Sequence, residues 1–121
     1  MKKLYAGLIG AALAGSIVGA VPATAAPTAL QVQARFVSAV CQGGDFANVK
    51  LTAASRGGSG TVQYRWDFTN NGSFDTAPST NPAIQHLYGD ELTVTARVGA
   101  RDASGATAMD TITFSTPRCG G

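Results

Sequence analysis

Four segments between residues 47 and 115 alternate apolar and polar side chains with a period of two, and that period commits the chain to β-strands. Two of them, Ala47-Asn48-Val49-Lys50-Leu51-Thr52-Ala53 and Leu92-Thr93-Val94-Thr95-Ala96-Arg97-Val98, each present one apolar and one wet face. Val62 to Phe68 sets Val62, Tyr64, Trp66 and Phe68 against Gln63, Arg65 and Asp67, and Thr107 to Ser115 turns Ile112 and Phe114 inward. Weaker segments run from Leu30 to Phe36 and from Ile84 to Tyr88. Turn residues separate them at Arg56-Gly57-Gly58-Ser59-Gly60, at Asn70-Asn71-Gly72 and at Asp102-Ala103-Ser104-Gly105. Asn-Gly is read as a hairpin turn, because a primed turn needs positive φ at its central residues. No helical period is present after residue 26, so the fold class is all-β: an immunoglobulin-like two-sheet β-sandwich of about seven strands.

The N-terminus has a different character. Met1-Lys2-Lys3 is a short cationic start, Leu4 to Val21 is an uncharged apolar run, Pro22 closes it, and Ala23-Thr24-Ala25 offers small residues to a signal peptidase. Residues 1–25 are read as a signal peptide cleaved after Ala25, which leaves residues 26–121 as the mature domain. Gly7, Gly10, Gly15, Gly19 and the helix-breaking Pro22 argue against an uncleaved anchor, so no membrane span is expected after cleavage. The product is expected to be secreted or periplasmic.

Cleavage changes what composition means. The 9 basic and 7 acidic side chains give a formal charge of +2, and that excess is Lys2 and Lys3; the mature chain is neutral. With 13% charged and 45% hydrophobic residues, the chain is neither disordered nor a coiled coil. A neutral domain without a Lys/Arg run has no footprint for a phosphate backbone, so nucleic acid is not an expected partner. In an oxidising compartment Cys41 and Cys119 allow a single intramolecular pairing; free thiols or a bridge between chains are the alternatives. Neither has a Cys-x-x-Cys spacing or a neighbouring His, and a structural disulfide is expected.

A specific resemblance now comes into view. Tyr64-Arg65-Trp66-Asp67-Phe68, the Asn71-Gly72 turn, Asn81 to Gly89 with Pro82, His86 and Tyr88, the strand Leu92 to Val98 and the Asp102 to Gly105 turn together resemble a PKD domain over about residues 31–116. That family's pattern has Trp-Asp-Phe-Gly-Asp-Gly, a later Pro with His-x-Tyr, and a strand closed by an Asp-x-x-Gly turn. Here Thr69-Asn70-Asn71-Gly72-Ser73-Phe74-Asp75 replaces the Gly-Asp-Gly, and Leu92 stands where the family has an aromatic. The resemblance implies an accessory, non-catalytic module of the kind found in bacterial exported proteins, monomeric, with an extracellular protein or polysaccharide as partner.

Trp66 is expected at the centre of the core. Asp67 is placed outward by the alternation, just before a turn whose N–H groups its carboxylate can accept. His86 and Tyr88 share a strand face with their polar tips bonded to backbone. With one histidine in the chain and no nucleophile motif, an enzyme is not expected. Asp67, Thr69, Asn71 and Asp75 place oxygens at alternate positions around Gly72, the pattern of a weak calcium loop, with an Asx-rich turn as the alternative and no other cofactor expected. Tyr64, Trp66, Phe68 and Phe114 belong to the core, which leaves Phe36, Phe46, Phe74 and Tyr88 to form any aromatic platform for a sugar, the competing reading being a structural spacer without a ligand.

Overall fold

The computed structural model describes residues 28–120; the expected signal peptide over residues 1–25 and its expected cleavage after Ala25 lie outside the described residues. Six strands follow from the alternations: β1 (Gln31–Gly43), β2 (Phe46–Arg56), β3 (Gln63–Asp67), β4 (Ala83–Gly89), β5 (Thr93–Arg101) and β6 (Thr107–Ser115). They form two antiparallel three-stranded sheets, ordered β1-β2-β4 and β3-β5-β6. The two inner faces meet in one core. Val49, Leu51, Ala96 and Val98 are fully buried there, and Trp66, at 2% exposure, is its largest member.

β1 extends seven residues beyond the expected end at Phe36. A bulge between Phe36 and Ser38 shifts the register by one residue. Ala34 and Phe36 pair with Ala53 and Leu51 before it, Ala39 and Cys41 with Val49 and Ala47 after it, so the inward set changes from even to odd numbers. A strict period of two stops at such a point although the strand continues. The hairpin that follows turns on Gly44-Asp45, where φ of Gly44 is 58°, a value suited to the first position of a primed turn.

Asn70-Asn71-Gly72 is not a hairpin turn. It lies in the connection from β3 in one sheet to β4 in the other, and positive φ at Asn70 (53°) and Gly72 (96°) curls the chain around the end of β3. The same connection then covers the free edge of β3. Asp75 N–H donates to the Trp66 carbonyl at 2.7 Å, Trp66 N–H donates to Thr76 Oγ1 at 2.9 Å, and Tyr64 and Ser79 exchange bonds of 2.7 and 3.0 Å. On the opposite side of the sandwich the β1 and β6 edges face each other, and the Asp110 carboxylate accepts the Ala34 N–H at 2.8 Å.

Cys41, near the end of β1, is joined by a disulfide to Cys119 beyond β6. The tail reaches it because one carboxylate oxygen of Asp90 accepts the N–H groups of Cys119 and Gly120 at 3.1 and 3.4 Å.

Candidate functional site

Asp67 organises one end of the sandwich. Strand alternation points its side chain away from Trp66, toward what was expected to be solvent, yet it is fully buried because the 68–82 connection folds over it. Its Oδ1 accepts the Asn71 N–H at 3.1 Å; its Oδ2 accepts the Gly72 N–H at 2.9 Å and pairs with the Arg97 guanidinium at 3.2 Å. Burial alone would raise the carboxyl's pKa. The N–H donors of Asn71, Gly72 and Thr69 and the Arg97 charge outweigh it and hold the pKa below its ordinary value. The carboxylate is outward in the strand alternation and binds the loop N–H groups, as expected from the sequence; what that expectation did not contain is the burial that the loop imposes.

The other oxygens of the supposed cation loop are turned the same way. Asp75 Oδ2 accepts the Phe68 N–H at 2.8 Å, Asn71 Oδ1 accepts the Ser73 N–H at 3.0 Å, and Thr69 stands exposed. Among the described residues no three acidic, His or Cys side chains converge on one point. A cation would have to displace backbone donors and compete with Arg97, so this donor set does not fit a calcium ion. The melting temperature is expected to be the same in millimolar calcium and in chelator; a rise with calcium would show that the loop rearranges around a metal.

His86 and Tyr88 on β4 face Phe68. The imidazole stacks on the Phe68 ring with centroids 3.9 Å apart and planes 12° apart, while the Tyr88 hydroxyl donates to the Phe68 carbonyl at 2.7 Å. Tyr88 thus has the backbone partner expected of both residues, and His86 packs through its ring face. Burial lowers the His86 pKa against a partial counter-effect of Asp75, and burial together with Asp75 and Asp67 pushes Tyr88 up to about 12. Pro82 returns the chain to the sheet, its carbonyl accepting the Ala53 N–H at 3.0 Å.

These shifts set a pH profile. Asp67, Asp90 and Asp102 all have folded pKa values below the ordinary 3.8, so their contribution is complete above that value and is lost as pH falls below it. His86, held neutral by burial, weakens the fold as pH falls below 6.5, and Tyr88 does so as pH rises beyond 10. Thermal melts from pH 2 to 11 are therefore expected to show a plateau between about 6.5 and 10, a shallow acid decline below it and a steep one below about 4. Asp67→Asn should flatten the steep limb; an unchanged limb would remove Asp67 from this account.

Phe74 shows what the alternation could not. Its ring tip lies against Gly99, where an added Cβ would stand 2.6 Å from Cζ. The guanidinium carbons of Arg65 and Arg97 sit 4.2 and 4.6 Å from the ring centroid. Gly99 faces Arg65 across the β3–β5 pair, so a glycine in mid-strand marks the close approach of a ring from a distant loop. That glycine was the available signal.

Phe46 is half exposed on the outer face of the β1-β2-β4 sheet, with Val40 and Leu87 facing each other across Asn48 beside it. Phe74 lies on the other sheet, so the two do not form one patch. Phe36 packs on Phe114 at 5.3 Å and Tyr88 is buried.

No family model matches the chain, and no curated protein sequence matches it. Two antiparallel sheets packed around Trp66, with a sheet-switching connection locked by Asp67, define an immunoglobulin-like β-sandwich. Among solved structures it is similar to the PKD1 domain of Vibrio anguillarum Epp, with a TM-score of 0.56 and 21% identity over 77% of this chain and 99% of that one. The chain thus has a PKD-like fold.

Proposed function

We propose that the protein is an exported, non-catalytic recognition module that binds an extracellular protein or polysaccharide in trans through a sheet face. The observation that carries this reading is the separation of charge over a neutral domain. Its carboxylates are drawn into turns and edges: Asp67, Asp75, Asp90, Asp102 and Asp110 all accept backbone N–H groups. Six of the seven cations among the described residues lie on the outer sheet faces, Arg35, Lys50 and Arg56 on one and Arg65, Arg97 and Arg101 on the other, with Arg97 paired to Asp67; the seventh, Arg118, pairs with Glu91 in the tail. The disulfide supports a location outside the cytoplasm. Non-catalytic character is supported by the side chains that chemistry would need, since both cysteines are bonded to each other and the single histidine is stacked on Phe68.

The spacer reading draws on the aromatics. Phe36, Phe74 and Tyr88 are engaged in packing, which leaves Phe46 without the neighbours that a stacking platform requires. Saturable binding to a panel of purified polysaccharides and extracellular proteins is the expected result for a recognition module. A protein that saturates on none of them is a spacer.

A further inference from the structure

We propose that the outer face of the β3-β5-β6 sheet binds a carboxylate-bearing polysaccharide, whose uronate groups are taken by Arg65 and Arg101. This rests on the recognition reading above and assigns it a surface and a ligand class. The register places Gln63 beside Arg101 and Arg65 beside Gly99 on β3 and β5, and Thr107 and Met109 beside the same two residues on β6. The Phe74 ring seats over Gly99, and the face is not flat beside it. A depression of about 340 Å³ is lined by Gln63, Arg65, Phe74, Arg101, Thr107 and Met109.

Its chemistry is that of an anion site. Arg65 and Arg101 are exposed, and among the described residues neither has a carboxylate within ion-pair distance. Arg65 is held against the Phe74 ring, and a guanidinium already immobilised this way loses little freedom when its planar fork grips a planar carboxylate. The one acid bordering the depression, Asp102, has its oxygens taken by the N–H groups of Ser59, Ser104 and Ala106 and by the Ser104 hydroxyl. Asp67 is buried and neutralised by Arg97.

The rest of the face selects among anions. Beyond the arginines it continues in exposed hydroxyl-bearing pairs, Thr95 with Thr113 at 2.8 Å and Thr93 with Ser115 at 3.5 Å. A stiff polymer that repeats carboxylates and hydroxyls along its length complements both halves. An acidic peptide supplies carboxylates on a flexible chain without the hydroxyls, and a nucleic acid draws its affinity from contacts to many phosphates, where this face offers three guanidiniums, one already paired.

Affinity electrophoresis of the purified protein in gels containing polygalacturonate tests this, with dextran, polyglutamate and single-stranded DNA for comparison. Polygalacturonate is expected to retard the protein, salt to relieve the retardation, and Arg65→Gln and Arg101→Gln each to weaken it by about tenfold. Arg35→Gln with Arg56→Gln, on the other sheet, is expected to change nothing. All these side chains are exposed, and matched melting temperatures confirm that the variants fold. Absence of retardation by polygalacturonate, equal retardation by polyglutamate or DNA, or equal loss in the Arg35/Arg56 variant overturns the proposal. Saturable binding of another ligand that survives Arg65→Gln and Arg101→Gln overturns this site and leaves the recognition module standing; saturable binding of nothing overturns both.

Discussion

Trp66→Ala is expected to destabilise the domain by about 3–5 kcal/mol, the cost of emptying a large aromatic site in a packed core. Trp66 is the largest buried side chain and sits where both sheets converge, so neighbours such as Val49, Leu51 and Val98 cannot close the gap without moving strands. Against a total stability of about 5–15 kcal/mol, such a loss brings the fold close to its limit. Trp66→Phe separates volume from polarity. The indole Nε1 is buried without a hydrogen-bond partner among the described residues, so phenylalanine removes an unsatisfied donor as well as some volume. It is expected to cost clearly less than alanine in denaturant titrations. Equal costs would mean that the indole N–H has a partner after all.

Opening the disulfide should have an effect of similar size. Cys41 and Cys119 close a loop with a sequence separation of 78, for which chain entropy in the unfolded state gives about 4 kcal/mol. In a domain of this size that is a fall in Tm of roughly 15–30 °C. Thermal melts with and without reductant, and of Cys41→Ser with Cys119→Ser, measure it. A fall of only a few degrees would show that the tail is held mainly by Asp90, whose oxygen accepts the Cys119 and Gly120 N–H groups.

Much of the fold could be read from the sequence because burial on one face leaves a period of two. Thr107–Ser115 is found with its expected limits, and the segments around Val49, Trp66, Ile84 and Val94 lie within strands. The reading failed where a local rule met a non-local constraint. The bulge at Val37 broke the period and hid the second half of β1, and Asn71-Gly72, a hairpin signal when taken alone, serves a connection between sheets. The burial of Asp67, outward in the alternation, was missed for the same reason. Alternation knows the plane of a sheet but not the loop that covers it.

The face carrying Arg65 and Arg101 was harder to read. Net charge sums over a sequence, and a sum of zero is equally compatible with paired charges and with carboxylates spent on turns while guanidiniums stay outside. Only the hydrogen bonds of Asp75, Asp102 and Asp110 distinguish the two. Phe74, in the connection beyond β3 and far in sequence from Gly99, gave no periodic signal because its position is set by contact rather than by strand geometry.

The covered edge of β3 also governs how copies of this protein behave when crowded. A bare strand edge is a template on which another chain can continue the sheet. Here residues 75–79 occupy the β3 edge, and Asp110 plants a carboxylate on an N–H of the β1 edge. Foreign strands meet at these two places either hydrogen bonds already made or a charge. The connection that locks Asp67 in place thereby acts at the β3 edge as a guard against sheet-to-sheet polymerisation.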